Sequence, residues 1–322
     1  MRKISSFLTA VFCFFFVFPV FAVENSAPLT PKQLLENMTK ASDNLNYELI
    51  YVQASPLDLD SFRYRHLNIQ KRTYALLDTL DDSKQEIVQR DNLISYFQQN
   101  SQPFTINSSH IIDNLPSVMH ADFNQLANYY DFIDKGRGRI ADRPVQLINI
   151  KPKDDFRYQF LAFIDAENHL LLRCDMLDHE GNQLEQFRVV NLYVGDGFKA
   201  LSDYLNAMHF PPLLTNKNAQ TEKATTDWHT NWLPQGFKLI NQNSNNEENG
   251  QDTVTSQLYS DGLFSFTVYV ANKLFPNEQD NLWKQGANII YNENRGEKEL
   301  TIIGQIPTST AKRIVQNIQF NQ

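Results

Sequence analysis

The chain has 322 residues and a formal net charge of −8, from 29 Lys and Arg against 37 Asp and Glu. This acidic balance argues against general nucleic-acid binding, which needs a basic surface, and the length favours two domains over one. Of the two cysteines only Cys174 lies outside an apolar leader, so no intramolecular disulfide can staple the fold and a hydrophobic core must hold it.

The leader has the pattern of a secretory signal peptide. A positive start, "MRK", precedes an almost wholly apolar run from Ile4 to Phe18, and "VFA" ends it with small residues where a signal peptidase cuts. The sequence therefore predicts a cleaved signal peptide over 1–22 and a soluble, exported mature chain that starts at Val23. An uncleaved membrane anchor is the alternative, although the run is shorter than the ~20 residues that a span needs.

An amphipathic helix is predicted at the start of the mature chain, in "LTPKQLLENMTKASDNLNY". Thr30 can cap it, Pro31 suits its first position, and it should end near Leu45. One face carries Leu34, Leu35, Met38 and Ala41.

A long run of strands follows the helix, because the hydrophobic period changes from about four to two. Alternation is clear in "YELIYV", "SFRYRHLNI", "EIVQRDNLISYFQQ", "RPVQLINIKP", "FRYQFLAFIDAEN", "HLLLRCDMLDHEGN" and "QLEQFRVVNLYV". Asn, Asp or Gly stands at several junctions, which is typical of short turns in an antiparallel meander. Such a sheet must curl or close to protect its edges.

Glycines and arginines alternate in "YDFIDKGRGRIADRPVQLINI", from Tyr130 to Ile150. A phosphate-binding loop would need a helix directly after it. The alternating segment that follows starts a strand instead, so a turn or bulge between strands is the favoured interpretation. Binding of an anion by Arg137, Arg139 and Arg143 stays open.

A linker is predicted over 211–227, where two prolines precede a mainly polar stretch that few contacts should cross. It separates a domain at 23–210, which ends in the short helix "DGFKALSDYLNAMHF", from a domain at 228–322. In the second domain Asp261-Gly262 predicts a hairpin, and "NIIYNENRGEKELTIIGQIP" predicts two more strands. "TSTAKRIVQNIQF" predicts a final helix capped by Thr308 or Ser309.

Chemistry-bearing motifs are missing from the sequence. It contains no nucleophile elbow, no zinc-binding His-Glu-x-x-His and no cofactor motif, so we predict no enzyme, no cofactor and no metal site. "DHEGN" at Asp178 to Asn182 reads best as a turn. Alternation places Cys174 with Leu170 and Met176, which favours a buried thiol over a reactive one or an intermolecular disulfide.

Several stretches together resemble the RseB/MucB family, the periplasmic regulators of the envelope-stress sigma factor. They run in order through the mature chain: "NYELIYV", "RYRH", "EIVQRDNLISYF", "DNLPS", "YYDFIDKGRGRIADR", "DHEGNQLEQFRV", "PPLL", "WLPQGF", "LYSDGLFSFTV" and "TIIGQIPTSTAKRIVQNIQF". The resemblance implies a mainly β protein: an unclosed LolA/LolB-like β-barrel with a helical plug, then a smaller C-terminal α/β domain. It also implies a location in the periplasm.

The same resemblance implies partners. Members of the family bind the periplasmic part of the anti-sigma factor RseA (MucA in some relatives), shield it from the protease DegS, and are thought to be released by lipid or lipopolysaccharide. A homo-oligomer is possible and nucleic acid is not expected. If the barrel holds a cavity rather than a filled core, the lipid-binding residues would be Tyr47, Leu49, Tyr51, Phe62, Tyr64, Tyr96, Tyr158 and Phe160.

Two other functions compete with the regulator. A soluble periplasmic lipoprotein or lipid carrier could use the barrel alone, so the second domain and its linker favour the regulator. An envelope hydrolase would need a nucleophile and a base, and the sequence offers no such arrangement.

Overall fold

The structure is a computed structural model that describes residues 28–81, 85–99, 101–214, 226–246, 253–273 and 280–321. The predicted signal peptide at 1–22, Val23 and residues 215–225 of the predicted linker lie outside these ranges. Within them, no helix combines the length and apolar character needed to cross a membrane.

Helix α1 (Pro31–Asn44) forms as predicted. The Thr30 side chain accepts a hydrogen bond from the Gln33 backbone, and the Gln33 side chain bonds back to the Thr30 backbone, so that two free N–H groups of the first turn are satisfied. Leu35, Met38 and Ala41 are buried.

An eleven-stranded antiparallel sheet surrounds this helix. Its strands are β1 (Tyr47–Ala54), β2 (Leu59–Ile69), β3 (Arg72–Thr79), β4 (Gln85–Arg90), β5 (Leu93–Gln98), β6 (Phe104–Asn107), β7 (Tyr130–Ile140), β8 (Arg143–Pro152), β9 (Gln159–Asp165), β10 (Leu171–Leu177) and β11 (Gln183–Val194). The order is β6-β5-β4-β3-β2-β1-β11-β10-β9-β8-β7, so that β6 and β7 are the edge strands, and Thr105 of β6 forms a parallel bridge with Leu213. Because α1 contacts both β2 and β7, the sheet curls around it without closing. The predicted unclosed barrel with a helical plug is confirmed.

Short helices complete this first unit. A 3₁₀ helix (Ser117–His120) and α2 (Phe123–Leu126) lie between β6 and β7, and α3 (Lys199–Ala207) follows β11. The side chain of Asp122 caps α2 by accepting from two backbone N–H groups.

The "GRGR" stretch lies inside β7, where the predicted bulge is present. The register between β7 and β8 shifts between Asp134 and Gly136, and Gly136 has φ +92°, which favours glycine. The turn itself comes later, at Ala141 and Asp142, both of which have positive φ.

The second unit is a smaller sheet with one helix. Its strands are β12 (Trp228–Thr230), β13 (Lys238–Asn246), β14 (Thr253–Ser260), β15 (Ser265–Asn272), β16 (Asn281–Gln285), β17 (Asn288–Arg295), β18 (Lys298–Gly304) and β19 (Ile318–Phe320). Six of them are ordered β13-β14-β15-β18-β17-β16, and β12 pairs with β19. The hairpin at Asp261-Gly262 and the pair β17–β18 are as predicted.

Helix α4 (Thr308–Gln316) differs from the prediction in two details. Its N-cap is Pro307, without a capping side chain, so the expected cap by Thr308 or Ser309 is wrong. The helix begins one residue earlier because the fixed φ of proline already suits this position. Ile318, which lies in the stretch predicted as the final helix, belongs to β19 and pairs with Thr230 of β12 instead.

The two units share one hydrophobic core, which contradicts the expectation of few contacts between them. Phe160 of the first sheet stacks on Phe264 of the second, with ring centroids 5.0 Å apart. The Tyr158 hydroxyl donates to the carbonyl of Ile306 at 3.2 Å. The polar linker sequence gave no sign of this, because the contacting residues lie far from it in the chain.

Candidate functional site

Five of the eight predicted lipid-binding residues form a packed layer on β1 and β2. Leu49 pairs with Tyr64 and Tyr51 with Phe62 across the strands, and Tyr47 packs edge-on to Tyr64 at 5.9 Å. All five are buried, and Tyr51 and Phe62 stack at 5.2 Å. Burial raises the pKa of the Tyr47, Tyr51 and Tyr64 hydroxyls, so they are neutral at physiological pH.

The other three predicted residues lie elsewhere. Tyr96 stacks on Phe104 at 4.9 Å and donates to Asp113 at 2.7 Å. Tyr158 and Phe160 are buried against the second unit. Of the eight, Phe160 is the one that lines a cavity between the two units.

That cavity has a volume of about 480 Å³ and lies between the units. β10 and β11 supply one wall, the segment before and within the 3₁₀ helix a second, and the Asp261-Gly262 hairpin a third. Its apolar lining comes from Ile111, Ile112, Leu115, Phe160, Cys174, Met176, Phe187, Leu263 and Phe264. The size falls within the range of small-molecule sites. The cavity was not predicted from the sequence, because the strand pattern of the first unit does not show which part of its surface the second unit covers.

Burial shifts the pKa values of two ionisable groups in the cavity wall. Burial raises the pKa of the Cys174 thiol well above its usual value, so the thiol is not an activated nucleophile. Cys174 is free and buried, as predicted. Burial also raises the pKa of Glu185, although a backbone hydrogen bond from Ala287 in the second unit opposes the shift.

A buried ion pair holds the two units together behind the cavity. The side chains of Arg157 and Asp261 are both fully buried, and Arg157 Nη1 donates to Asp261 Oδ2 at 2.6 Å. Arg157 also donates to Asp154 at 2.7 Å and to the carbonyl of Gln235 at 2.6 Å. The Tyr130 hydroxyl donates to the same Asp261 oxygen at 2.5 Å. Buried charges persist only when they are paired in this way.

The candidate anion-binding arginines already have acidic partners in two cases. Arg139 pairs with Asp142 at 2.6 Å. Arg143 pairs with Asp165, which is buried, and with Glu167 at 2.5 Å. Arg137 is exposed. An anion would need the guanidinium groups of Arg139 and Arg143, but these groups already bind carboxylates.

Comparison with known proteins follows the division into two units. The MucB/RseB N-terminal domain matches residues 30–214, and the MucB/RseB C-terminal domain matches residues 222–319. The chain is 53% identical over 300 residues to the sigma-E factor regulatory protein RseB of Haemophilus influenzae, covering 93% of this chain and 94% of that one. It is 39% identical over 302 residues to the RseB of Escherichia coli K12, covering 94% of each.

A solved structure has the same fold. MucB in complex with MucA(peri) superposes with a TM-score of 0.72 at 24% identity, over 91% of this chain and 100% of that chain.

Proposed function

The chain belongs to the RseB/MucB family, and on that premise we propose that it is a periplasmic negative regulator of the sigma-E stress response. In this role it binds the periplasmic part of an RseA-like anti-sigma factor and shields it from DegS. The observation that carries the proposal is the 53% identity to a sigma-E factor regulatory protein over 300 residues, which spans both units. The MucB structure in complex with MucA(peri) supports a partner of this kind.

The second unit offers a surface for that partner. Trp283, Ile290 and Ile303 form one row across β16, β17 and β18, and each is at least 39% exposed. Among the described residues β16 is also an edge strand of this sheet, to which an extended peptide can add as a strand. An apolar row beside an open edge suits a flexible segment with apolar side chains better than a folded domain.

A binding titration tests this surface in the full mature chain. The probe is the labelled periplasmic segment of the anti-sigma factor from the same organism. Trp283→Ser should weaken binding by at least ~10-fold, as truncation of an aromatic anchor does. Tyr204→Ser is the matched control, because Tyr204 on α3 is 54% exposed against 50% for Trp283.

The two outcomes that oppose this proposal are distinct. If the two variants bound the segment with equal affinity, the partner would contact a surface other than β16–β18, and the proposed regulatory function would still hold. Failure of the unmodified protein to bind the segment, or to slow its cleavage by DegS, would overturn the function itself.

We propose that the lipid that releases the partner binds in the cavity between the units. Each CH₂ group buried there contributes ~0.8 kcal/mol, so seven groups contribute about 5.5 kcal/mol before ordering costs. That is roughly the differential affinity that moves a two-state equilibrium from 1:99 to 99:1. An acyl chain that prefers the partner-free conformation would therefore release the partner, and each ligand would weaken the other by the same factor.

The lipid effect is tested by a charge at the cavity mouth. Ile112 lines the cavity yet is 75% exposed, so Ile112→Asp should fold normally and abolish the effect of a short-chain phospholipid or lipopolysaccharide on partner affinity. Leu57→Asp is the control, since Leu57 is 76% exposed and outside the cavity. A partner dissociation constant unchanged at saturating lipid in the unmodified protein would leave a regulator without a lipid switch.

A further inference from the structure

Three side chains with metal-binding atoms lie close together beside the cavity, although they are far apart in the sequence. Asp43 lies in the last turn of α1, His110 lies between β6 and the 3₁₀ helix, and His120 ends that helix. Asp43 Oδ1 is 2.9 Å from His120 Nδ1 and 3.9 Å from His110 Nδ1. The two imidazole rings stack with centroids 3.9 Å apart. One ligand atom from each residue lies within 4.8 Å of the other two.

These distances are close to those of a tetrahedral metal site. Zinc bonds to imidazole nitrogen and carboxylate oxygen are ~2.0–2.2 Å long, so two ligand atoms at tetrahedral angles stand about 3.4 Å apart. The separations of 2.9 and 3.9 Å bracket that value. Small side-chain rotations are enough to bring the three atoms onto one ion. Two imidazoles and a carboxylate, without a thiolate, suit zinc and its neighbours in the first transition row.

The position of Asp43 on its helix favours a cation. The carboxylate stands at the C-terminal end of α1, where the helix dipole is negative, and the last turn of α1 contains no basic residue. The carboxylate also faces both imidazole rings, since its Oδ1 lies 2.9 Å from His120 Nδ1 and 3.9 Å from His110 Nδ1.

The histidines also present lone pairs. His110 Nδ1 faces the Asp43 carboxylate at 3.9 Å, and its ring is held against the ring of His120 by stacking. His120 Nε2 is buried and has no hydrogen-bond partner among the described residues. A cation bound in place of the hydrogen bond to Asp43 would take the lone pair of His120 Nδ1, with the ring proton on Nε2. A simple hydrogen-bonded His–Asp pair would explain the contact of His120 with Asp43, but not His110, which stacks on His120 and also faces Asp43.

We propose that Asp43, His110 and His120 form a three-ligand site for a divalent cation of the zinc class. Because His110 and His120 also line the cavity, a fourth coordination position would be available to water or to a polar group of a cavity ligand. The ion would join the end of α1 to the segment that forms one cavity wall. It would thereby fix the shape of that wall, a role independent of which partner the protein regulates.

Zinc titration of the full mature chain, stripped with a chelator, tests the site. We expect one Zn²⁺ per chain by elemental analysis after dialysis, and at a free concentration of 100 times Kd a rise in Tm of ~5 °C. His110→Ala should abolish both effects, and its partly exposed position makes the substitution mild for the fold. His179→Ala, at an exposed histidine in the turn between β10 and β11, should behave as the unmodified protein does.

A second measurement uses the unmodified chain and does not depend on a variant that folds. Zn²⁺ should slow the reaction of His110 with diethylpyrocarbonate, followed by mass spectrometry, while His179 reacts at an unchanged rate. The absence of stoichiometric binding would overturn the site. So would zinc binding that leaves the reactivity of His110 unchanged, or that persists in a folded His110→Ala variant.

Discussion

The two ends of strand β1 bury their inner faces in different ways. At the start of β1, Tyr47 and Leu49 pack against Tyr64, and the Tyr47 hydroxyl donates to the carbonyl of Ser42 in α1; we call this region the packed end. At the other end, beside Gln53 and Phe187, the inner face borders a cavity that the second unit covers. Alternation makes both ends look alike, but a helix fills one of them. The cavity therefore exists only because the two units meet, and it depends on their interface.

The largest effect is expected from breaking that interface. Arg157→Met leaves Asp154 and Asp261 without their cation, and removal of one partner of a buried pair costs ~3–5 kcal/mol. Urea unfolding should show this loss. The control is Lys199→Met, which removes an exposed pair with Asp203 and should cost no more than ~0.5 kcal/mol.

A double substitution sharpens this result. Adding Asp261→Asn to Arg157→Met should cost less than the sum of the single changes, because both remove the same pair. Additive losses would show that Arg157 stabilises the interface through its contacts with Asp154 and Gln235 rather than through Asp261.

The next effect separates the packed end from the cavity end. Leu49 is 1% exposed among aromatic rings, so Leu49→Ala should leave a void and cost ~2–5 kcal/mol. Ile112→Ala, at the cavity mouth, should stay within ~0.5 kcal/mol. Denaturant unfolding of both variants measures the difference. A small loss of stability in Leu49→Ala would mean that the packed end already contains free volume. The packed end would then again be a candidate lipid-binding site.

Alternation and capping patterns predicted much of the fold. They placed α1 with its Thr30 cap, the meander, and the hairpin at Asp261-Gly262, because these features depend on neighbours in the chain. The interface depends on residues such as Arg157 and Phe264, which come from separate units and carry no local signal. The candidate site was for the same reason only partly predictable: Phe160 lines the cavity, whereas Leu49 and its neighbours are enclosed beside α1.

A smaller, pH-dependent effect is expected at His66 of the packed end. Burial lowers the pKa of His66 to about 4, although a hydrogen bond from Nδ1 to the carbonyl of Leu45 opposes the shift. Unfolded histidine has a pKa near ~6.5, so between pH 6.5 and 4 the unfolded state binds a proton that the folded state does not. Stability from this group is full above pH 6.5 and falls by about 3 kcal/mol as the pH drops to 4.

Unfolding free energies across this pH range, in the presence of a chelator, measure the His66 contribution. The pH profile of His66→Gln should be flatter than that of the unmodified protein by the stated amount, while His179→Gln should leave the profile unchanged. Parallel profiles for all three proteins would show that His66 gains its proton without unfolding, and hence that water reaches the packed end.

The smallest energetic effect is expected at Cys174, and it reports directly on the cavity end. Cys174→Ala should cost ~1 kcal/mol, the usual cost of a modest change at a buried site. The thiol lines the cavity, is buried and has a raised pKa, so a thiol reagent should modify it far more slowly in the folded protein than in urea. Because Cys174 is the only cysteine from Val23 onward, the labelling signal is specific.

Arg157→Met, which loosens the cover of the cavity, should speed the labelling in proportion to its destabilisation, whereas Lys199→Met should not. Labelling that is equally slow in both variants would show that the cavity opens without separation of the two units, through the segment that contains His110 and Ile112.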